Sequence, residues 1–354
     1  MRKLFFLICV FMILAFPAYA EEYEIKGNEL FNKTAESVND GTFSLNPIEL
    51  INSFFESFFK EVKNVKALLI TILAVAAAAA ALRILSSSFE NSQIADTAGI
   101  SCFLLLSLCA VKIFSEVAGY ALTAIHEICD FITKFEPIFM MSLVSSGAVT
   151  QAAAFQPVLA ASVYVLGIFF DKCIMPLCFF SAVLGICGNI GSRIEIGTMT
   201  KLLNSFSKWL LTSLLTLFTA VLSLYGFSTK AFNSVGAKGL KLAMGSMVPV
   251  VGNILSDTLD TILTGANLLK NAVGTAGVIA VFSAVFTPAL KIFIMMLLLK
   301  VVAAIIEPFS EKRTVDMLLC ISDAVKMMFA TVVAASLLFI ISITIILLSS
   351  GVSL

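Results

Sequence analysis

Apolar residues run through this chain in long blocks, and polar residues collect where the blocks end. Eight blocks stand out: Ala67–Leu82, Ala98–Phe114, Ala148–Phe170, Cys173–Ile190, Trp209–Phe227, Ala272–Phe286, Ala289–Ile306 and Met328–Leu348. Each approaches the roughly 20 residues a helix needs to cross the hydrocarbon of a bilayer. The pattern therefore predicts an all-α polytopic membrane protein with about seven to eight transmembrane helices. The first block holds an unbroken alanine run, 76–81, which lets helix backbones approach closely. Arg83 follows it, as expected of a cytoplasmic end, and Asp171-Lys172 separates the third block from the fourth. Trp209 and Tyr225 sit near the ends of the fifth like interfacial anchors. Between the second and third blocks, 115–150 is ambiguous. It carries Glu116, His126, Glu127, Asp130, Lys134 and Glu136, yet also the apolar Pro137–Val144.

The N-terminal end has a different pattern. Arg2 and Lys3 precede an apolar Leu4–Phe16, and Ala18-Tyr19-Ala20 places small residues at the cleavage subsites of a secretory signal. The expectation is a cleaved signal peptide, 1–20, with an uncleaved anchor as the alternative. Either way the chain from Glu21 is exported. An exported segment, 21–66, contains an amphipathic helix at 47–62. Asn46 caps it, Pro47 takes its first position, and Ile48, Ile51, Phe54, Phe55, Phe58, Phe59 and Val62 form its apolar stripe. That stripe suits either the membrane interface or the protein's own spans. The rest, 67–354, is the membrane domain. Counting crossings from an exported N-terminus puts Arg193, Lys201 and Lys208 outside, against the positive-inside rule.

One stretch fits neither a plain span nor a plain loop. From Gly236 to Pro288 the apolar pieces are short, broken by Gly236, Gly239, Gly245, Pro249, Gly252 and Gly265, and threaded with Lys238, Lys241, Asn253, Asp257, Asp260, Asn267, Lys270 and Asn271. Pro249 removes a backbone donor and disfavours helix at Val248, while Gly252 can turn the chain. Asn253, Asp257 and Asp260 then share one helical face, which cannot point at lipid. The expectation is that Val248–Gly274 folds back as a re-entrant element. Pro249, Gly252, Asn253, Asp257, Asp260 and Asn271, together with Lys300 inside the seventh block, become candidates for a polar path or partner site. A solvated face is the alternative for the aspartates, and snorkelling the alternative for Lys300.

The same stretch carries a family resemblance. Val-Pro-Val-Val-Gly at 248–252, Leu-Ser-Asp-Thr-Leu-Asp-Thr at 255–261 and Leu-Lys-Asn-Ala-Val-Gly at 269–274 resemble, in order and spacing, the signature region of the stage III sporulation protein AE family. The resemblance implies a non-enzymatic membrane component of the channel complex that links the mother cell to the engulfed forespore. It implies residence in the mother-cell membrane around the forespore. The implied partners are the other stage III sporulation A-operon proteins, among them the ATPase and the ring-forming AG and AH proteins, and through them stage II sporulation protein Q. It carries no catalytic residue set and no cofactor.

Composition narrows the alternatives. Hydrophobic residues make up 59% and charged residues 13% of the 354, with mean hydropathy +1.02. That charged fraction is about half of what a soluble domain carries. A net charge of zero leaves no basic footprint for nucleic acid. The single histidine excludes a His-Glu-x-x-His zinc site, and no phosphate loop ending in Lys-Ser or Lys-Thr occurs. His126, Glu127 and Asp130 read as a solvated helix face rather than a metal site. The cysteines lie on or beside apolar blocks and read as small buried hydrophobes.

An offset of 112 residues separates Pro137 from Pro249 and Pro176 from Pro288. It suggests repeats at about 98–206 and 210–318. With three crossings per copy the second would be inverted, as in many secondary transporters; coincidence of spacing is the other reading. Three function classes follow: a subunit of a multiprotein channel, a stand-alone secondary transporter for a small solute, and, least favoured, a membrane-embedded enzyme.

Overall fold

In a computed structural model, the structure describes residues 92–190, 197–247, 251–308 and 312–349, with isolated helical positions between 63 and 81. The signal peptide, the exported segment with its helix at 47–62, Pro249 and most of the span at 67–82 lie outside the described residues. Every described element is helical: α1 (Ser92–Ser145), α2 (Val149–Phe169), a π-helical turn (Phe170–Ile174), α3 (Met175–Ile190), α4 (Gly197–Met247), α5 (Val251–Ile306) and α6 (Lys312–Ser349). Among the described residues, five helical stretches are long and apolar enough to cross a membrane: Phe103–Ser145, Val149–Asn189, Thr198–Gly226, Lys270–Ile306 and Lys312–Ser349.

Of the eight expected blocks, 67–82 lies outside the described residues and two pairs of neighbours prove continuous, which leaves these five. The blocks split at Asp171-Lys172 are joined through the π turn, and those split at Pro288 lie within the single 56-residue α5. The ambiguous 115–145 belongs to the 54-residue α1, which runs through Pro137. The physical reason is common to all three. An interior proline forfeits one backbone hydrogen bond, whereas a chain break among apolar residues strands several donors and acceptors with no water to satisfy them. The π turn shows how the strain is absorbed. Pro176 offers no N–H to the Lys172 carbonyl four residues back, and the wider turn immediately precedes it. Asp171 and Lys172 stay in this turn and pair with each other at 2.8 Å.

Of the expected fold-back across Val248–Gly274, residues 248–250 lie outside the described residues. From Val251 onward the stretch forms the opening turns of α5. The 112-residue shift now carries 149–190 onto 261–302, inside α5, and α1 toward α4.

Where the chain does turn, the chemistry is local. Gly147 has φ 82, the left-handed region that favours glycine. Ala148 N–H donates to the Leu143 carbonyl and Gly147 N–H to the Val144 carbonyl, each at 3.0 Å. These two bonds are the Schellman closure of α1. Its accompanying apolar pair, Leu143 and Ala148, is fully buried.

The helices divide into two compact units. The first runs up to Leu122 and adds Met175–Lys208 and Thr287–Phe329; the second is Thr123–Ile174, Trp209–Phe286 and the chain from Ala330. In the first, α1 meets α3 through the edge-on rings of Phe114 and Phe179, 5.3 Å apart, and meets α5 where Lys291 Nζ lies 5.0 Å over the Tyr120 ring. A Cβ on Gly185 would stand 2.7 Å from Cys320 Cβ, so α3 and α6 touch almost backbone to backbone. In the second unit, Phe139, Met140 and Leu143 of α1, Ala152, Phe155 and Leu159 of α2, Leu222 of α4, and Ile343 and Ile346 of α6 form one buried cluster. Phe131, Phe135 and Phe139 stack successively along α1 at 5.4 and 5.5 Å, continuing the cluster. Large apolar side chains such as Leu105, Leu108, Tyr164, Val165, Leu217 and Leu224 stand exposed, which suits lipid rather than water.

Candidate functional site

The signature stretch becomes the first half of α5, and its second half has resolvable chemistry. Lys270 is 2% exposed, the most thoroughly buried charged side chain among the described residues. Its Nζ donates to Asn267 Oδ1 at 3.1 Å, one helical turn back. A buried ammonium is tolerated only when hydrogen-bonded or paired, so the helix carries a polar partner with it. Immediately beyond, two glycines bring neighbours close. A Cβ on Gly274 would lie 2.5 Å from Leu347 Cδ1 of α6, and one on Gly277 would overlap the ring of Phe135 on α1. Gly274 closes the Leu-Lys-Asn-Ala-Val-Gly motif, which therefore combines a buried cation with the contact that seats α5 against α6.

A second buried polar group lies in the same unit. Gln151, fully buried on the first turn of α2, donates its amide to the carbonyl of Ser349, the last residue of α6. It thereby caps orphan backbone at that helix end. Its Oε1 has no hydrogen-bond partner. A Cβ on Gly226 of α4 would touch Ile345 at 3.0 Å and Ser349 at 3.5 Å, so α4 closes over this end of α6.

Of the residues expected to form a site, Gly252, Asn253, Asp257 and Asp260 lie on the opening turns of α5, and Asn271 follows on the same helix with an exposed side chain. All five belong to the second unit. Lys300 is half-buried on α5 and belongs to the first unit. Asn253, Asp257 and Asp260 are successive residues at helical spacing, so their shared face follows from backbone geometry. Sequence pattern alone does not mark Lys270 or Gln151 as site residues. A signal for Lys270 was present, since it stands at the polar edge of an apolar block with Asn267 one turn earlier. Nothing in the sequence distinguishes Gln151 from Gln156.

Among the described residues, no group of three or more His, Cys, Asp and Glu is placed to hold a metal ion. Cys109, Cys129, Cys173, Cys178, Cys187 and Cys320 are free thiols.

Comparison with known proteins gives one consistent result. The family model described as Stage III sporulation protein AE matches residues 30–350. A curated relative, Stage III sporulation protein AE of Bacillus subtilis (strain 168), is 29% identical over 315 residues, covering 89% of this chain and 79% of the relative. No solved structure matches the chain.

Proposed function

The chain belongs to the stage III sporulation protein AE family, and from that premise we propose that it is a non-enzymatic membrane subunit of the channel complex joining the mother cell to the engulfed forespore. Family membership gives it a role in sporulation, and its long apolar helices suit a membrane protein. The finer reading adds place and partners. The chain resides in the mother-cell membrane around the forespore, with the N-terminus of the mature chain outside the mother-cell cytoplasm. It assembles with the A-operon ATPase and the AG and AH ring proteins, and through them with stage II sporulation protein Q. The observation that carries this reading is the family match over nearly the whole chain.

Within that role the chain acts as a scaffold of long rods. Four of the five apolar stretches run to 37–43 residues, roughly 60 Å of helix or about twice the hydrocarbon thickness, so these reach beyond a single crossing. The polar opening turns of α5, with Asn253, Asp257 and Asp260, then offer a partner face or line a polar path, and Lys270 with its Asn267 partner lies buried beyond them on the same helix. The alternative of a stand-alone solute transporter gains nothing from the family match. The test is deletion in a sporulating host, followed by complementation. Loss of late forespore gene expression and of forespore integrity, restored by the full chain, is the expected result. Normal late expression in the deletion strain would overturn the proposal.

A further inference from the structure

In the first unit, α4 and α6 enclose a cleft of about 270 Å³ lined by Lys201, Asn204, Ser205, Lys208, Asp323 and Lys326. Three ammonium groups and one carboxylate converge there, and all four side chains are exposed. Lys201, Asn204, Ser205 and Lys208 recur at helical spacing and so share one face of α4. Ser181 of α3 donates its hydroxyl to Asn204 Oδ1 at 2.8 Å, which holds the amide in place and leaves its NH2 as a donor. The adjoining face of the same turns exposes Met199, Leu202 and Phe206. A basic face beside an exposed apolar one is the pattern of a helix lying at the bilayer interface.

The cleft also sits at a definite depth. The apolar run of α4 begins at Trp209, directly after Lys208, and that of α6 begins at Met327, directly after Lys326. Two helices that enter hydrocarbon beside one shared cleft place it at the headgroup level. With one crossing for each described apolar rod, α4 and α6 both start on the face where the sequence expects the span at 67–82 to end. The lysines then fall inside, and the conflict with the positive-inside rule disappears.

We propose that this cleft binds the phosphate headgroup of an anionic phospholipid of the cytoplasmic leaflet, with Met199, Leu202 and Phe206 seated beside it at the interface. Lys201, Lys208 and Lys326 supply the charge, Asn204 and Ser205 supply neutral donors, and Asp323 limits the net positive charge. Basic pockets between transmembrane helices on the cytoplasmic side suit such headgroups. This inference rests on the membrane reading of the chain but not on the channel complex.

The test uses the purified full chain in mild detergent. Retained lipid is measured by native mass spectrometry, and binding is titrated with phosphatidylglycerol, cardiolipin, phosphatidylcholine and inorganic phosphate. The wild type should retain anionic lipid and ignore phosphatidylcholine. Lys201→Ala, Lys208→Ala and Lys326→Ala should each weaken anionic binding about fivefold, and the triple variant about a hundredfold. Asp323→Asn should strengthen it, which keeps the test decisive if the triple variant misfolds. Lys134→Ala with Lys172→Ala, lysines outside the cleft, should leave binding unchanged. Wild-type retention in the triple variant would overturn the proposal. So would indifference to lipid class, or low-millimolar phosphate filling the site in place of lipid.

Discussion

Gly274 gives the sharpest test of how α5 is seated. Replacing it with alanine does two opposing things. Removing a mid-helix glycine favours the helix by about 1 kcal/mol. The new Cβ, however, would lie 2.5 Å from Leu347 Cδ1, 2.8 Å from Cδ2 and 2.9 Å from Cγ. Carbon pairs settle at about 3.5–4.0 Å, so either Leu347 leaves its rotamer or the helices part locally. Overpacking of this kind costs about 1–3 kcal/mol. Gly265, on the same helix, provides the reference, because a Cβ there meets nothing within 4 Å. Gly265→Ala should therefore gain helix stability, and Gly274→Ala should fall below it by about 1–3 kcal/mol. At roughly 2–4 °C per kcal/mol, the two unfolding midpoints in detergent should differ by about 2–12 °C. Adding Leu347→Ala should rescue Gly274→Ala with a coupling of about 0.5–3 kcal/mol. Equal midpoints for the two alanine variants, or strictly additive effects of Gly274→Ala and Leu347→Ala, would refute the close contact.

Three further outcomes follow from the same geometry. Gly147→Ala should destabilise by about 1–2 kcal/mol because φ 82 crowds a Cβ, and Gly147→Asn should lose less; unfolding midpoints compare them. Lys270→Met keeps the stem and removes the ammonium, so accumulation in the membrane should hold while spore yield falls; an unchanged spore count would make Lys270 a packing residue alone. Asp257→Leu should abolish function with normal protein level and insertion, measured by spore titre and immunoblot, and full function in both Asp257→Leu and Asp260→Leu would remove the polar face from the account.

The apolar blocks were legible from hydropathy because a bilayer imposes length and composition on whatever crosses it. Their joins were not. Asp171-Lys172 and Pro288 carry the local signals that end helices in water, yet both lie inside continuous helical segments. Local propensity yields where no solvent can take over a broken backbone bond. The turn at Gly147 lay one residue before the predicted third span, since a Schellman glycine and an apolar block boundary coincide there. The motif at 269–274 was readable as a family signature, but its physical content was not. That Gly274 meets Leu347 and Gly277 meets Phe135 depends on partners far away in sequence. The lysine cleft was hidden for the same reason, as Lys201 and Lys326 come from separate helices that only the fold brings together.

Membership of a multiprotein channel is open to capture of the intact assembly. The full chain, carrying an affinity tag and expressed at its native level, would be extracted from cells that have completed engulfment and purified in mild detergent. The expected result is co-elution with the A-operon ATPase and the AG and AH ring proteins in one high-mass species, lost when the tagged chain carries Asp257→Leu and Asp260→Leu. Recovery of the chain alone, with solute uptake when it is reconstituted by itself in liposomes, would contradict it.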